Sequence, residues 1–88
     1  MHFEFDAEKS KSNLTKHRID FEQAQTLWRD ADGLAVPSKY SGESRMLWIA
    51  SREGKLWTAV YTEREGKIRI ISVRRAHENE RNAYYEQQ

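Results

Sequence analysis

Eighty-eight residues with a formal net charge of +1 and no cysteine suit one small domain, near the lower end of what buries a core without a staple. The missing cysteine excludes disulfides and thiolate metal sites, no apolar run approaches the roughly 18 residues of a membrane span, and no signal peptide is visible, so a cytoplasmic protein is expected. Charged residues make up 33% of the chain and mean hydropathy is −0.97, values that would suit disorder; three Trp, four Tyr and three Phe argue instead for a fold around an aromatic core.

Phe3-Glu4-Phe5 alternates as a short edge strand. Asp6 can cap a helix over Ala7–His17, with Glu8 in its first turn. That segment is polar: Leu14 is its clearest anchor, and Lys9, Asn13 and Lys16 share one face that reads as solvated. Asp20 and Gln23 then form a capping box, with Ile19 and Ala24 at the staple positions. Phe21, Ala24, Leu27 and Trp28 give this second helix an apolar stripe to lay on a sheet. Asp30, Asp32 and Gly33 end it, and Leu34–Pro37 is an edge strand because proline cannot donate to a ladder. Residues 38–44 read as a loop.

Three strands follow, at Arg45–Ser51, Leu56–Glu63 and Lys67–Arg75, and Arg-Glu-Gly-Lys separates them twice, at 52–55 and 64–67. A two-residue type I′ turn would hold Glu53 and Glu65 at φ > 0, so a three-residue loop with Gly54 or Gly66 left-handed is expected. That loop pairs Ser51 with Lys55 and Glu63 with Lys67. Met46, Trp48, Leu56, Val60, Ile68 and Ile70 then face the core, and Arg45, Leu47, Ile49, Trp57, Tyr61, Arg69, Ile71 and Arg75 face the other way, with Arg45, Tyr61 and Arg69 in one row. Arg74 points away from that row, at the strand end. Leu47, Ile49, Trp57 and Ile71 would form an apolar patch for a partner segment or the chain's own last helix to cover. From Ala76 a final helix carries His77, Glu80, Arg81 and Tyr84 on one side. The expected class is α+β: a small antiparallel meander with two N-terminal helices packed on one face and a C-terminal helix, in a single domain over 1–88.

His2, His17 and His77 are scattered without metal-ligand spacing, and the glycines belong to turns rather than a phosphate loop; no metal and no cofactor are expected. What remains is basic and aromatic. Lys67 to Arg75 holds four basic residues and no acidic one. Arginine forks suit phosphate and aromatic faces suit unstacked bases. Such a set can cut RNA without metal: one group takes the 2′-hydroxyl proton, arginines stabilise the pentavalent phosphate, and an acid protonates the leaving 5′-oxygen. Lys16, His17, Arg45, Tyr61, Arg74 and Glu80 are the candidate catalytic residues; Arg69, Arg75, Arg81 and Tyr84 are candidates for holding RNA.

Phe3-Glu4-Phe5-Asp6, Asn13 with Lys16-His17, Ile19-Asp20-Phe21 with Ala24, Glu43 with Arg45, Val60 to Arg64, Ile70-Ile71-Ser72 with Arg74, and Ala76, Glu80, Arg81 with Tyr84 or Tyr85 stand in an order and spacing that resembles the BrnT family of type II toxin–antitoxin toxins. The resemblance implies a RelE-like ribonuclease that inhibits translation by cutting RNA. It also implies a cognate BrnA-like antitoxin with a DNA-binding domain, contact with operator DNA only through that antitoxin, and room for a homodimer within the complex. Three positions depart from the family pattern. Arg18 stands where a glycine is usual, Arg75 where a lysine is usual, and His77 where a hydroxyl residue is common. The alternative is an inactive toxin-fold protein that binds RNA or an antitoxin.

Overall fold

Residues 1–38 and 44–87 are described in a computed structural model. Residues 39–43, which include Glu43 of the family pattern and most of the expected loop, lie outside the described residues, as does Gln88. The chain is a mixed α+β fold. Its elements are β1 (His2–Glu4), α1 (Ala7–His17), α2 (Phe21–Ala24) running into a 3-10 turn (Gln25–Arg29), β2 (Leu34–Pro37), β3 (Met46–Arg52), β4 (Lys55–Arg64), β5 (Lys67–Arg75) and α3 (Glu78–Glu86). The five strands form one sheet in the order β1-β5-β4-β3-β2. The expected antiparallel meander holds from β2 to β5, but β1 joins the edge parallel to β5, pairing Phe3 with Ile68.

The turns differ from the expected three-residue loops. Arg52 pairs with Lys55 and Arg64 with Lys67, so both connections are two-residue loops. Glu53 (φ 51°), Gly54 (78°), Glu65 (53°) and Gly66 (78°) all take positive φ, the type I′ pattern. A left-handed glutamate costs roughly 1–2 kcal/mol. The register it sets turns Trp57 and Tyr61 into the core, 7% and 4% exposed. An aromatic side chain buries roughly 150–250 Å², worth about 4–6 kcal/mol at about 25 cal/mol per Å². Core burial outweighs turn strain.

This one-residue difference flips β4: Trp57, Ala59 and Tyr61 join the helix-side core, while Leu56 and Val60 face the other way. A bulge makes a second flip. Tyr61 pairs with Ile70 but Val60 pairs with Ser72, leaving Ile71 as the extra residue. Ile70 and Val73 therefore both enter the core, and the faces of the next two residues are exchanged relative to a regular strand. Arg74, opposite Thr58, lies on the α3 side, and Arg75, opposite Trp57, lies on the α1 side.

The main core joins Ile19, Phe21, Ala24 and Leu27 to that sheet face, with Trp28 stacked on Trp48 at 5.7 Å and edge-on to Tyr61 at 5.4 Å. Gly33 leaves room for this cluster, since a Cβ there would come within 2.0 Å of Trp48 Cζ2. The anchors of α1 are polar. Leu14 is 45% exposed, contrary to expectation, while Ser10 and Asn13 are buried. The Asn13 amide donates to Ile19 O (2.7 Å) and Val73 O (2.9 Å) and accepts from Val73 N (3.2 Å), and Ser10 Oγ accepts from Phe21 N (2.9 Å). Arg18 takes the left-handed angle that a glycine adopts freely, φ 63°, and its N–H closes α1 on Leu14 O. A smaller cluster of Ile49, Leu56 and Tyr84 lies beneath α3. The expected four-residue patch is thus divided: Trp57 is in the main core, and α3 covers Ile49.

Candidate functional site: the Arg74–Glu80 cleft

The strand end of β5, the β2–β3 edge and the start of α3 enclose a cleft of about 830 Å³. Val36, Pro37, Leu47, Ile49 and Val60 make its wall apolar, and Arg45, Arg74, His77 and Glu80 supply its polar groups. Arg74 grips Glu80 as a two-pronged fork, Nη1 to Oε1 at 2.7 Å and Nη2 to Oε2 at 2.9 Å. Oε1 also accepts from Thr58 Oγ1 (2.9 Å) and from the His77 backbone N–H (2.7 Å). Burial alone would raise the Glu80 carboxyl, but the hydrogen bonds from Arg74, His77 and Thr58 outweigh it and hold the pKa at about 2. Glu80 is therefore ionised at neutral pH. It cannot serve as the proton donor and acts as the clamp that aims Arg74. The fork leaves Nε–H and a second Nη2 hydrogen of Arg74 available to an incoming oxyanion.

The sequence candidates do not share one place. Arg45, Arg74 and Glu80 meet in the cleft, with His77 at its rim. Lys16 and His17 are exposed in the last turn of α1, and His17 lines a different cavity together with Arg75. Arg69 lies toward the other end of β5, 3.8 Å from Glu4, and Arg81 is exposed on α3. Tyr61 and Tyr84 are buried structural residues: Tyr61 packs among core aromatics, and Tyr84 donates to Asp30 Oδ2 at 2.7 Å. The expected row of Arg45, Tyr61 and Arg69 does not form, because Tyr61 opposes Met46 and Ile70 on the other face. Thr58 was absent from the sequence candidates. The two-residue turn puts Thr58 on the α3 side of β4, and the bulge at Ile71 then sets it opposite Arg74 instead of Val73. Among the described residues no three of His, Asp and Glu gather as a metal site, and no helix is long and apolar enough to cross a membrane.

A family model for the ribonuclease toxin BrnT of type II toxin–antitoxin systems matches residues 5–80. The chain belongs to the BrnT family. No curated protein matches it in sequence. The match runs from Phe5 to Glu80, so it spans the strands that carry Arg45's neighbours and Arg74 and stops at the residue that clamps Arg74. Membership makes the chain a type II toxin–antitoxin ribonuclease toxin with a protein antitoxin as partner. In BrnT terms, the Arg18 departure is absorbed by a left-handed helix cap. The Arg75 departure falls outside the cleft, and His77 adds a titratable group at its rim.

Proposed function

We propose that this chain is a metal-independent, RelE-like endoribonuclease, a single toxin domain that inhibits translation in the cytoplasm by cutting RNA at the Arg74–Glu80 cleft. The observation that carries the reading is the Glu80-clamped guanidinium of Arg74, facing the same cleft as Arg45 above an apolar wall that suits a base. The 2′-oxygen attacks phosphorus, the 5′-oxygen leaves, and Arg45 and Arg74 stabilise the charge gathered on the phosphoryl oxygens between these events. His77, whose imidazole lines the same cleft, is the group placed to exchange protons with the reacting hydroxyls, a role Glu80 cannot fill. Silencing requires covering this cleft, by a BrnA-like antitoxin whose own DNA-binding domain contacts the operator; a toxin homodimer inside that complex is compatible with the reading.

The test is purified chain with RNA, with and without EDTA, against single variants. Cleavage should survive EDTA. Arg45→Ala and Arg74→Ala should each lower the cleavage rate by about 10²–10³, the effect of removing one oxyanion donor. Arg74→Lys keeps the charge but loses the fork and should also fall, which separates aim from charge. If both alanine variants cut RNA as fast as the parent, the cleft is not the active site.

A further inference from the structure

On the opposite side of the β5 terminus lies a second cavity, of about 350 Å³. Arg18, Arg52, Lys55 and Arg75 line it, with His17 beside them, and Glu53 is the carboxylate among them. Two chance-free features of the fold bring these charges together. The left-handed cap puts Arg18 at the end of α1, and the type I′ turn pairs Arg52 with Lys55. Arg52 is already tied, to Thr26 Oγ1 at 3.0 Å and to Glu53 at 3.1 Å. Arg18 and Lys55 are exposed and have no ion pair among the described residues. Arg75 lies 5.4 Å over the ring of Trp57, which forms the cavity floor. The Trp57 indole N–H is buried and finds no acceptor among the described residues, a rare and costly condition for a native donor. The cavity thus gathers four cationic side chains around one carboxylate and is short of acceptors. A phosphodiester supplies the reverse: oxygens that only accept, carrying a full negative charge.

Arg74 and Arg75 are consecutive and so point to opposite faces of the sheet and line different cavities, and the bulge at Ile71 decides which of them faces which. A nucleic-acid strand passing the C-terminal end of β5 meets both. We propose that this second cavity holds a phosphate of the substrate RNA away from the scissile one, so that the strand is gripped on both sides of the sheet. The inference rests on the ribonuclease reading for its ligand. RNA is favoured over an acidic peptide because Arg18 and Arg75 bring guanidinium groups, which match phosphate oxygens, to a space too small for a folded segment.

A 2′-O-methyl RNA oligonucleotide, which cannot be cut through its 2′-oxygen, serves as the probe. Titrated into ¹⁵N-labelled chain, it should move the indole N–H resonance of Trp57, and inorganic phosphate should move it in the same direction more weakly. Binding should be measured against salt for the parent, Arg18→Gly and Lys55→Ala. Each variant should bind more weakly and lower the slope of log K against log salt by about 0.7, the loss of one single-strand phosphate contact. Arg18→Gly relieves a left-handed angle, so misfolding cannot account for its loss. A still Trp57 resonance with unchanged slopes overturns the proposal, and so does a response to polyglutamate but not to RNA. Arg74→Ala should abolish cutting while the Trp57 response stays. If the parent never cuts RNA but the Trp57 and salt effects hold, the cleavage reading falls and this site remains.

Discussion

Glu80 shows how one side chain can be unavailable for the chemistry its position suggests and still organise the site. Its carboxylate is nearly sequestered, with side-chain exposure of 8%, and it meets the Arg74 fork, a threonine hydroxyl and a backbone N–H. Its folded pKa, about 2, is depressed from the model-compound value of 4.5. A depressed carboxylate contributes stability that is fully present above the unfolded value and disappears as pH falls through the folded one. The parent should therefore lose stability as pH drops from about 4.5 to about 2, and Glu80→Gln should flatten that part of the urea-denaturation profile against pH. At pH 7 the same variant should be less stable by about 3 kcal/mol, because Arg74 is left without its counter-charge. Equal acid limbs in parent and variant would show that Glu80 is not held ionised by the fork. Arg18→Gly argues the opposite case at this scale: it should raise the unfolding free energy by about 1 kcal/mol, because glycine takes a left-handed angle freely.

At the scale of elements, the contact of α1 with β5 is made by amide hydrogen bonding more than by apolar area. Val73 gives both its N–H and its C=O to Asn13, so this side chain acts as a one-residue strand beside the β5 segment that β1, ending at Glu4, does not reach. Asn13→Leu should fit the helix yet strand three buried backbone groups, Ile19 O, Val73 O and Val73 N–H, at about 1–3 kcal/mol each. Hydrogen exchange at Val73 should accelerate well beyond the global change; uniform acceleration would mean that α1 is held by something else. The two hairpins obey a similar logic, in which turn strain is accepted for the register it sets. Glu53→Asn and Glu65→Asn should each raise stability by several tenths of a kcal/mol, because asparagine tolerates the left-handed region better, and a fall in thermal midpoint would contradict the turn assignment.

Across the whole molecule, the C-terminal end of α3 is held by polar contacts to distant parts of the chain. Tyr84 reaches Asp30, which also accepts from Ser51 N at 2.8 Å, and Gln87 Nε2 donates to Asp32 O. Burial would raise the Asp30 carboxyl, but hydrogen bonds from Ser51, Tyr84 and Asp32 prevail and lower it. Since α3 also brings Glu80 to Arg74, the fastening at Asp30 and the aim of Arg74 belong to one mechanical unit. Tyr84→Phe should cost about 1 kcal/mol in stability and lower cleavage through a looser Arg74, with amide exchange in Glu78–Glu86 rising first. Unchanged exchange in α3 would separate the two.

Local chemistry in the sequence determined a good deal. The Asp20–Gln23 capping box, the apolar stripe from Phe21, the edge placement of Pro37 and the repeated Arg-Glu-Gly-Lys turns each rest on contacts within a few residues, and each stands in the structure. Arg74 and Glu80 both stand among the candidates read from the sequence, and the fold brings them to 2.7 Å of each other. What the tertiary structure alone decided was facing. Period-two alternation is undone by a single residue, and both the turn type and the bulge at Ile71 were selected by long-range burial of Trp57, Tyr61 and Val73. Glu53 and Glu65 locally resist the angles they adopt; only the core energy several strands away explains why they adopt them. That same long-range choice sent Tyr61 inward, exchanged Arg74 with Arg75, and placed Thr58 beneath Glu80.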